Sequence, residues 1–354
     1  MDTIDTSAPV LVTGATGYVA GWLVKALLDA GATVHATVRD PGDAAKTAHL
    51  TNLAANAPGE IRYFKADLLE PGAFADAMQG CKVVFHTASP FTSKISDPQK
   101  DLVDPALGGT RNVLEQANQT DSVERVVVTS SCAAIYGDNA DLADAPGGVL
   151  TEEIWNTSSS LDHQAYSYSK TVAERAAWDI AEAQDRWRLV AVNPSFVLGP
   201  ALQPRPTSES FTLIKGFGDG TFKTGAPRIG IGAVDVRDLA LAHLRAGFLP
   251  NVHGRHIISG IDTDFLGLAD ALRERYGAHY PLPKGAIPKW LAWLVGPMIN
   301  PLTTRRYIAR NVDIPWRADT TKSVQALGMS YRPLHETMQD MFAFMIDAGY
   351  FARR

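Results

Sequence analysis

The chain has 354 residues, 20% charged and 45% hydrophobic, with a formal charge of -5 at pH 7 spread over both signs; this is an ordinary globular composition and lacks the basic stripe of a general nucleic-acid binder. Two isolated cysteines, Cys81 and Cys132, supply neither a disulfide framework nor a metal-ligand cluster. The start, Met1 to Pro9, has no basic or apolar signal region, and no apolar run reaches the ~18 residues of a membrane span, so a cytoplasmic location without integral membrane association is the expectation.

Pro9 to Thr13 is a short apolar run ending in glycine and reads as a buried strand. Tyr18 to Ala30 has helical spacing of Val19, Leu23, Leu27 and Leu28, and Gly31 stops it. Strands follow at Thr33 to Val38, Ile61 to Lys65 and Val83 to Thr87, with a short helix at Ala73 to Met78. Leu107 to Gln119 reads as helix, Arg125 to Ser131 as a very apolar strand, Tyr166 to Gln184 as a long helix, and Arg188 to Asn193 as a strand. Strands alternating with helices imply a parallel sheet covered on both faces. The expected fold is α/β, a Rossmann-type doubly wound parallel sheet with a smaller, mostly helical C-terminal substrate lobe.

The pattern loosens after Pro194. Residues 199 to 232 read as long loops with one helix near Phe211 to Gly216, and Val234 to Phe248 with His256 to Ser259 read as elements returning to the sheet. The expected division is therefore 1–198 with 233–260 for a dinucleotide-binding domain, and 199–232 with 261–354 for a substrate-binding lobe. The longest apolar candidate, Ile287 to Ile299, is broken by Pro288, Lys289, Gly296 and Pro297. Within it Trp290, Trp293, Leu294 and Met298 read mainly as core packing, with lining a pocket, covering it, or a weak contact of the stretch with a membrane surface as the other roles.

The first strand runs into Thr13-Gly14-Ala15-Thr16-Gly17-Tyr18-Val19-Ala20, a G-x-x-G-x-x-A turn between strand and helix. Gly14 permits the tight turn, Gly17 lets backbone N–H groups approach a pyrophosphate, and Ala20 lets the helix pack on the strand. Gly14, Thr16, Gly17, Tyr18 and Val19 are the expected phosphate contacts. About 20 residues on, where an NAD site places an acidic side chain, stands Thr37, with Arg39 close by and Lys46 beyond. An arginine there forks onto a 2′-phosphate, which favours NADP (as NADPH) over NAD, although Asp40 could accept from a ribose. Asp67 and Leu68 would flank an adenine. Thr87, Ala88 and Ser89 end a strand with small residues that let the backbone approach the cofactor. His86 reads as a packed histidine.

Tyr166 and Lys170 are four apart on a helix and share a face. A free phenol titrates near ~10, and an ammonium one turn away favours its ionised form. Ser131 ends the most apolar strand, where a hydroxyl can hydrogen-bond a substrate oxygen. Together these residues read as a proton-handling site beside a nicotinamide.

The stretches VLVTGATGYVAGWLVKALLDAGATVHATVRDP, ADLLEPGAFADAMQGCKVVFHTASP, RVVVTSS, YSYSKTVAERAAW and VNPSFVLGP resemble the extended short-chain dehydrogenase/reductase family over nearly the whole chain. The likeness is to its dihydroflavonol reductase and cinnamoyl-CoA reductase branch, with bacterial aldehyde and ketone reductase relatives. The resemblance implies a catalytic trio of Ser131, Tyr166 and Lys170, and 2′-phosphate contacts by Arg39 and Lys46. It implies that Pro194 and Val197 line the nicotinamide, and it matches Val234 to Ala240 to a late strand-to-helix signature. Flavonoid-reducing members carry asparagine five residues past the serine, where this chain has Tyr136. The cinnamoyl-CoA signature N-W-Y-C-Y-G-K stands here as Gln164-Ala165-Tyr166-Ser167-Tyr168-Ser169-Lys170. A bacterial-style reduction of a small aldehyde or ketone, reversible as alcohol oxidation, is therefore the expected activity. The alternatives are hydroxysteroid dehydrogenase-like oxidation, sugar-nucleotide modification with Arg305-Arg306 as the basic pair, and a non-catalytic dinucleotide sensor. The monomer and the homodimer are both open.

Overall fold

Val10, Leu11 and Val12 are all buried, yet they serve two different cores. Successive strand side chains point to opposite faces. Val10 and Val12 join one core with Val34, Val83, Phe85, Val127, Val190 and Val192. Leu11 joins the other with Val84, Val126, Val128 and Leu189. Because both faces are apolar, the strands can lie only between two helical layers.

The structure is a computed structural model and describes residues 4–89, 95–299 and 303–351. Pro90, the last residue of one quoted stretch, and the expected domain limits at residues 1 and 354 lie outside these. In chain order the N-terminal elements are β1 (Val10–Val12), α1 (Tyr18–Asp29), β2 (Thr33–Val38), α2 (Ala44–Ala54), β3 (Glu60–Lys65), α3 (Ala75–Met78) and β4 (Val83–His86). A π-helical turn, Gln99–Val103, leads into α4 (Asp104–Gln119), followed by β5 (Arg125–Thr129), α5 (Ala165–Glu182), β6 (Arg188–Pro194) and β7 (Phe196–Leu198). The rest comprises α6 (Glu209–Asp219), β8 (Gly230–Asp235), α7 (Val236–Phe248), β9 (Gly254–Ile258), β10 (Ile261–Asp264) and α8 (Phe265–Tyr276). The last elements are α9 (Lys289–Ile299), α10 (Arg305–Asn311), α11 (Thr321–Leu327) and α12 (Leu334–Asp347).

Seven strands form one parallel sheet in the order β3-β2-β1-β4-β5-β6-β9, with Val10 opposite both Val34 and Val83. α1 and α7 cover one face through Leu23, Leu27, Leu239 and Ala246. α3, α4 and α5 cover the other through Met78, Val113, Leu114 and Ala177. The strand order reverses between β1 and β4, which opens a crevice at their C-terminal ends, where ligands bind in such sheets.

Three strands form a second sheet, β10-β8-β7, with Ala233 of β8 opposite both Phe196 and Ile261. Thus β9 lies in the main sheet, whereas β8 and β7 lie in the small one. The lobe's core gathers Phe211, Ile214 and Phe217 of α6, Leu268 and Leu272 of α8, and Met338, Met341, Phe342 and Met345 of α12.

One helix goes unread in the sequence and one expectation fails. Residues 44–54 form α2, capped by Asp43, whose carboxylate accepts from Lys46 N. Its signal is weak because only Thr47 and Leu50 are buried. On α9, Trp290, Trp293, Leu294 and Met298 are exposed rather than packed.

Candidate active site

The turn after β1 is shaped by close approach. Gly14 has φ 63, and a Cβ there would lie 3.0 Å from Ala88 Cβ at the end of β4. Any larger residue would fill the crevice between the two strands. Gly17 caps α1 without a side-chain partner, so the first N–H groups of the helix remain available. The result is a cradle bounded by backbone and by the positive end of a helix, a setting that favours an anionic group.

Thr13 locks the cradle. Its hydroxyl accepts from Thr87 N (3.1 Å) and Ala88 N (3.0 Å), so it donates to His86 Nδ1 at 3.0 Å. His86 therefore carries its proton on Nε2, which faces Thr110 Oγ1 at 3.5 Å. Burial, reinforced by the Lys170 charge, pushes the His86 pKa down to about 3, so the ring stays neutral. The Thr87 hydroxyl donates to Thr13 O at 2.5 Å.

The other sequence candidates are distributed around this cradle. Arg39 is exposed past the end of β2, and Asp40 accepts from Gly42 N at 2.9 Å within its own turn. Lys46 is 69% exposed on its side chain and rests 3.1 Å from Asp43. Asp67 accepts from Leu69 N at 2.9 Å, and Leu68 packs beneath Gly109. Thr16 O accepts from Gln203 Nε2 at 3.4 Å, which ties the turn to the lobe. Val19 is half-buried between the two cores. The Tyr18 side chain does not face the cradle: it is buried against Phe211 and donates to Gly199 O at 2.8 Å. Pro194 is buried at the end of β6, and Val197 is half-buried on β7.

Ser131 follows β5 in extended backbone, and its Oγ accepts from Ala133 N at 3.1 Å, capping the short 3-10 turn Cys132–Ala134. That turn packs on α5. Gln164, left-handed at φ 57, starts α5 and donates to Gly137 O at 3.1 Å. Tyr166 thereby falls on the first turn of the helix and is 49% exposed. Lys170, one turn deeper, is buried; its Nζ donates to Ser89 Oγ at 3.1 Å and lies 5.8 Å from the Tyr166 ring centroid. A cation bonded to Ser89 is thus held against a half-exposed phenol.

Behind Lys170 lies a buried network that the sequence reading missed. The Glu174 carboxylate accepts from Arg255 Nε at 2.6 Å, Asn193 Nδ2 at 2.7 Å, Trp178 Nε1 at 3.3 Å and the Ser130 hydroxyl. Asn193 Nδ2 also donates to Ser131 O at 3.2 Å. Arg255 continues to the carbonyls of Glu152 (2.8 Å) and Ile154 (2.6 Å). One carboxylate therefore joins α5, β6, β9 and the segments on either side of Ser131. The only sequence signal was spacing, since Glu174 is four residues past Lys170 on the same helix. Asp138 forms a second anchor: His163 (2.7 Å), Arg310 (2.6 Å) and Asn311 (2.7 Å) all bond it. Burial alone would raise the Asp138 pKa, but the bonds from His163, Asn311 and Arg310 outweigh it and hold the carboxyl below the ordinary value. This fastens the 138–163 loop to α10. Tyr136 packs at a ring-centroid distance of 6.1 Å from Trp316, and burial raises its phenol pKa.

A doubly wound sheet, a glycine cradle at its switch point and a lysine held against a tyrosine define an NAD(P)-dependent oxidoreductase. Residues 10–251 match the NAD dependent epimerase/dehydratase family, and the chain belongs to it. Within that extended short-chain dehydrogenase/reductase group it falls in the dihydroflavonol reductase and cinnamoyl-CoA reductase-like branch. It is 42% identical over 272 residues to "Cinnamoyl-CoA reductase CAD2" of Medicago truncatula, covering 75% of this chain and 80% of that one. It is 36% identical over 348 residues to "Tetraketide alpha-pyrone reductase 1" of Arabidopsis thaliana, covering 96% of both. Its fold superposes on yeast methylglyoxal/isovaleraldehyde reductase Gre2 complexed with NADPH, with a TM-score of 0.75, 29% identity and coverage of 97% and 100%.

Proposed function

We propose that the protein is an NADPH-dependent reductase of small aldehydes and ketones. The observation that carries this reading is the buried Lys170 ammonium, bonded to Ser89 and set 5.8 Å from the ring of the half-exposed Tyr166. Gly14, Thr16, Gly17 and the backbone of Tyr18 and Val19 would hold the pyrophosphate. Arg39 and Lys46 would take the 2′-phosphate, Asp67 and Leu68 the adenosine, and Thr87, Ala88, Ser89, Pro194 and Val197 the nicotinamide half. When bound, the reduced nicotinamide supplies the hydride-donating chemistry.

The chain's own residues then handle the oxygen and the proton. The Ser131 hydroxyl donates a hydrogen bond to the carbonyl oxygen and opposes the negative charge that builds there. Tyr166 gives its phenolic proton to that oxygen as general acid, which completes the alcohol. Lys170 stabilises the phenolate left behind and hydrogen-bonds the ribose. The half-exposed position of Tyr166 leaves it open to a substrate, whereas burial keeps Lys170 from competing for one. Methylglyoxal and isovaleraldehyde, the ketoaldehyde and aldehyde for which the similar yeast reductase is named, support carbonyl compounds of this size. Cys81 and Cys132 are buried free thiols, the state a reducing compartment maintains and one that suits a cytoplasmic enzyme.

The test is cofactor oxidation, followed by absorbance, with NADPH or NADH against a panel of aldehydes, ketones and CoA thioesters. The reading expects turnover with aldehydes or ketones and a preference for NADPH. Turnover confined to thioesters, or to NADH, would overturn it.

A further inference from the structure

We propose that the outer face of α9 is a docking site for the surface of an anionic lipid bilayer. The helix is apolar on all sides but buries only one. Ala292 is buried, and Leu291, Val295 and Gly296 are half-buried. Trp290, Trp293, Leu294 and Met298 are 67%, 42%, 51% and 84% exposed. They sit at i, i+3, i+4 and i+8, which places them on one helical face. A soluble helix ordinarily turns charged residues outward there, and an exposed apolar patch marks an interaction site.

The charges around the patch indicate its partner. The chain has 38 acidic residues, yet positions 275 to 312 contain none, against six arginines and lysines. Lys289 and Arg310 are committed internally, to the carbonyls of Ala309 and Val312 and to Asp138. Arg305 and Arg306 are exposed and meet no acid among the described residues, while the Arg305 guanidinium lies 4.5 Å from the Trp293 ring centroid. Tryptophans beside arginines, on a helix too short to cross, are what an interfacial element requires: the rings enter the headgroup boundary and the guanidiniums meet lipid phosphates. No helix among the described residues is long and apolar enough to span a membrane, so the contact is peripheral. A second copy of the chain fits less well. The four side chains offer roughly 500 Å² of apolar area, short of the ~800 Å² each partner contributes to a stable complex.

The experiment floats the full-length protein with vesicles of phosphatidylcholine alone, or mixed with one part in three of phosphatidylglycerol, at low and at physiological salt. The expected result is binding to the mixed vesicles that weakens with salt, and little binding to the neutral ones. Replacing Arg305→Gln and Arg306→Gln together should weaken that binding about 30-fold, about fivefold per arginine. Trp290→Ser with Met298→Ser should abolish it while the melting temperature is kept. In the unaltered protein, brominated lipid should quench tryptophan fluorescence, a readout that needs no variant. No binding to mixed vesicles, equal binding to both kinds, or binding untouched by either pair of substitutions would overturn the proposal. So would a dimer in sedimentation velocity that Trp290→Ser with Met298→Ser dissociates, since the face would then belong to a second copy.

Discussion

Behind Lys170 the site is closed and cross-linked, whereas in front of Tyr166 it is open. The rear wall is a carboxylate, Glu174, surrounded by donors from residues 130, 178, 193 and 255. The front holds a phenol at 49% exposure, an exposed Arg39, and a Lys46 that among the described residues pairs with its neighbour Asp43. Folding alone completes the rear, because each buried polar group there needs a protein partner. The front is left for ligands to complete. Substitutions on the two sides should therefore fail differently, the front ones in chemistry and the rear ones in stability first.

Tyr166→Phe gives the largest expected effect. Turnover should fall by about 10²–10⁴-fold, the contribution of a positioned general acid, while NADPH binding and melting temperature stay near their original values. Steady-state rates beside a fluorescence titration of the cofactor would show this, and a parallel loss of stability would blur the distinction between front and rear.

Glu174→Gln tests the other side. It leaves the Arg255 guanidinium, only 7% exposed, buried without its counter-charge. The expected cost is about 3–5 kcal/mol in urea denaturation, with the loss of activity following from the shift of Ser131. Glu174→Asp should recover part of both. A stable but inactive Glu174→Gln would contradict the view of this carboxylate as a scaffold.

A pH titration should also act on the closed parts of the molecule. Burial lowers the pKa of His86 to about 3 and of His243 and His256 to about 4. The fold thus holds all three neutral, whereas the unfolded chain takes up protons as pH falls through about 6.5. Stability should be full above that value and decline as pH drops from about 7 toward 4, measured as the urea midpoint. His243 bonds Thr129 Oγ1 at 2.7 Å and Leu239 O at 2.8 Å, and His243→Gln should flatten the slope.

Arg39→Ala should give the smallest change. Losing one charge-assisted contact to a phosphate would raise the KM for NADPH about tenfold and leave NADH unaffected. Equal effects on both cofactors would remove Arg39 from the 2′-phosphate.

β1, β4, β5 and β6 were readable because each carries an unbroken apolar run that both cores use, whereas His35 and Arg62 interrupt β2 and β3. The glycine turn and the four-residue step from Tyr166 to Lys170 were readable because they are local. What escaped was either weakly patterned or remote. α2 buries too little to show a helical stripe, and β10 is Ile-Asp-Thr-Asp, which alternates no apolar face. The Glu174 network draws on residues more than a hundred positions apart, which one sequence does not bring together. On α9 the composition was read correctly as apolar, but composition does not say which face finds a neighbour.

The central claim is that this site joins reduced cofactor to a carbonyl. The most direct measurement supplies NADPH deuterated at the transferring position of its nicotinamide C4, with a turned-over aldehyde, and weighs the alcohol by mass spectrometry. The account predicts one deuterium on the carbinol carbon and one alcohol per NADPH consumed. Alcohol without deuterium, or cofactor consumed without alcohol, would contradict it.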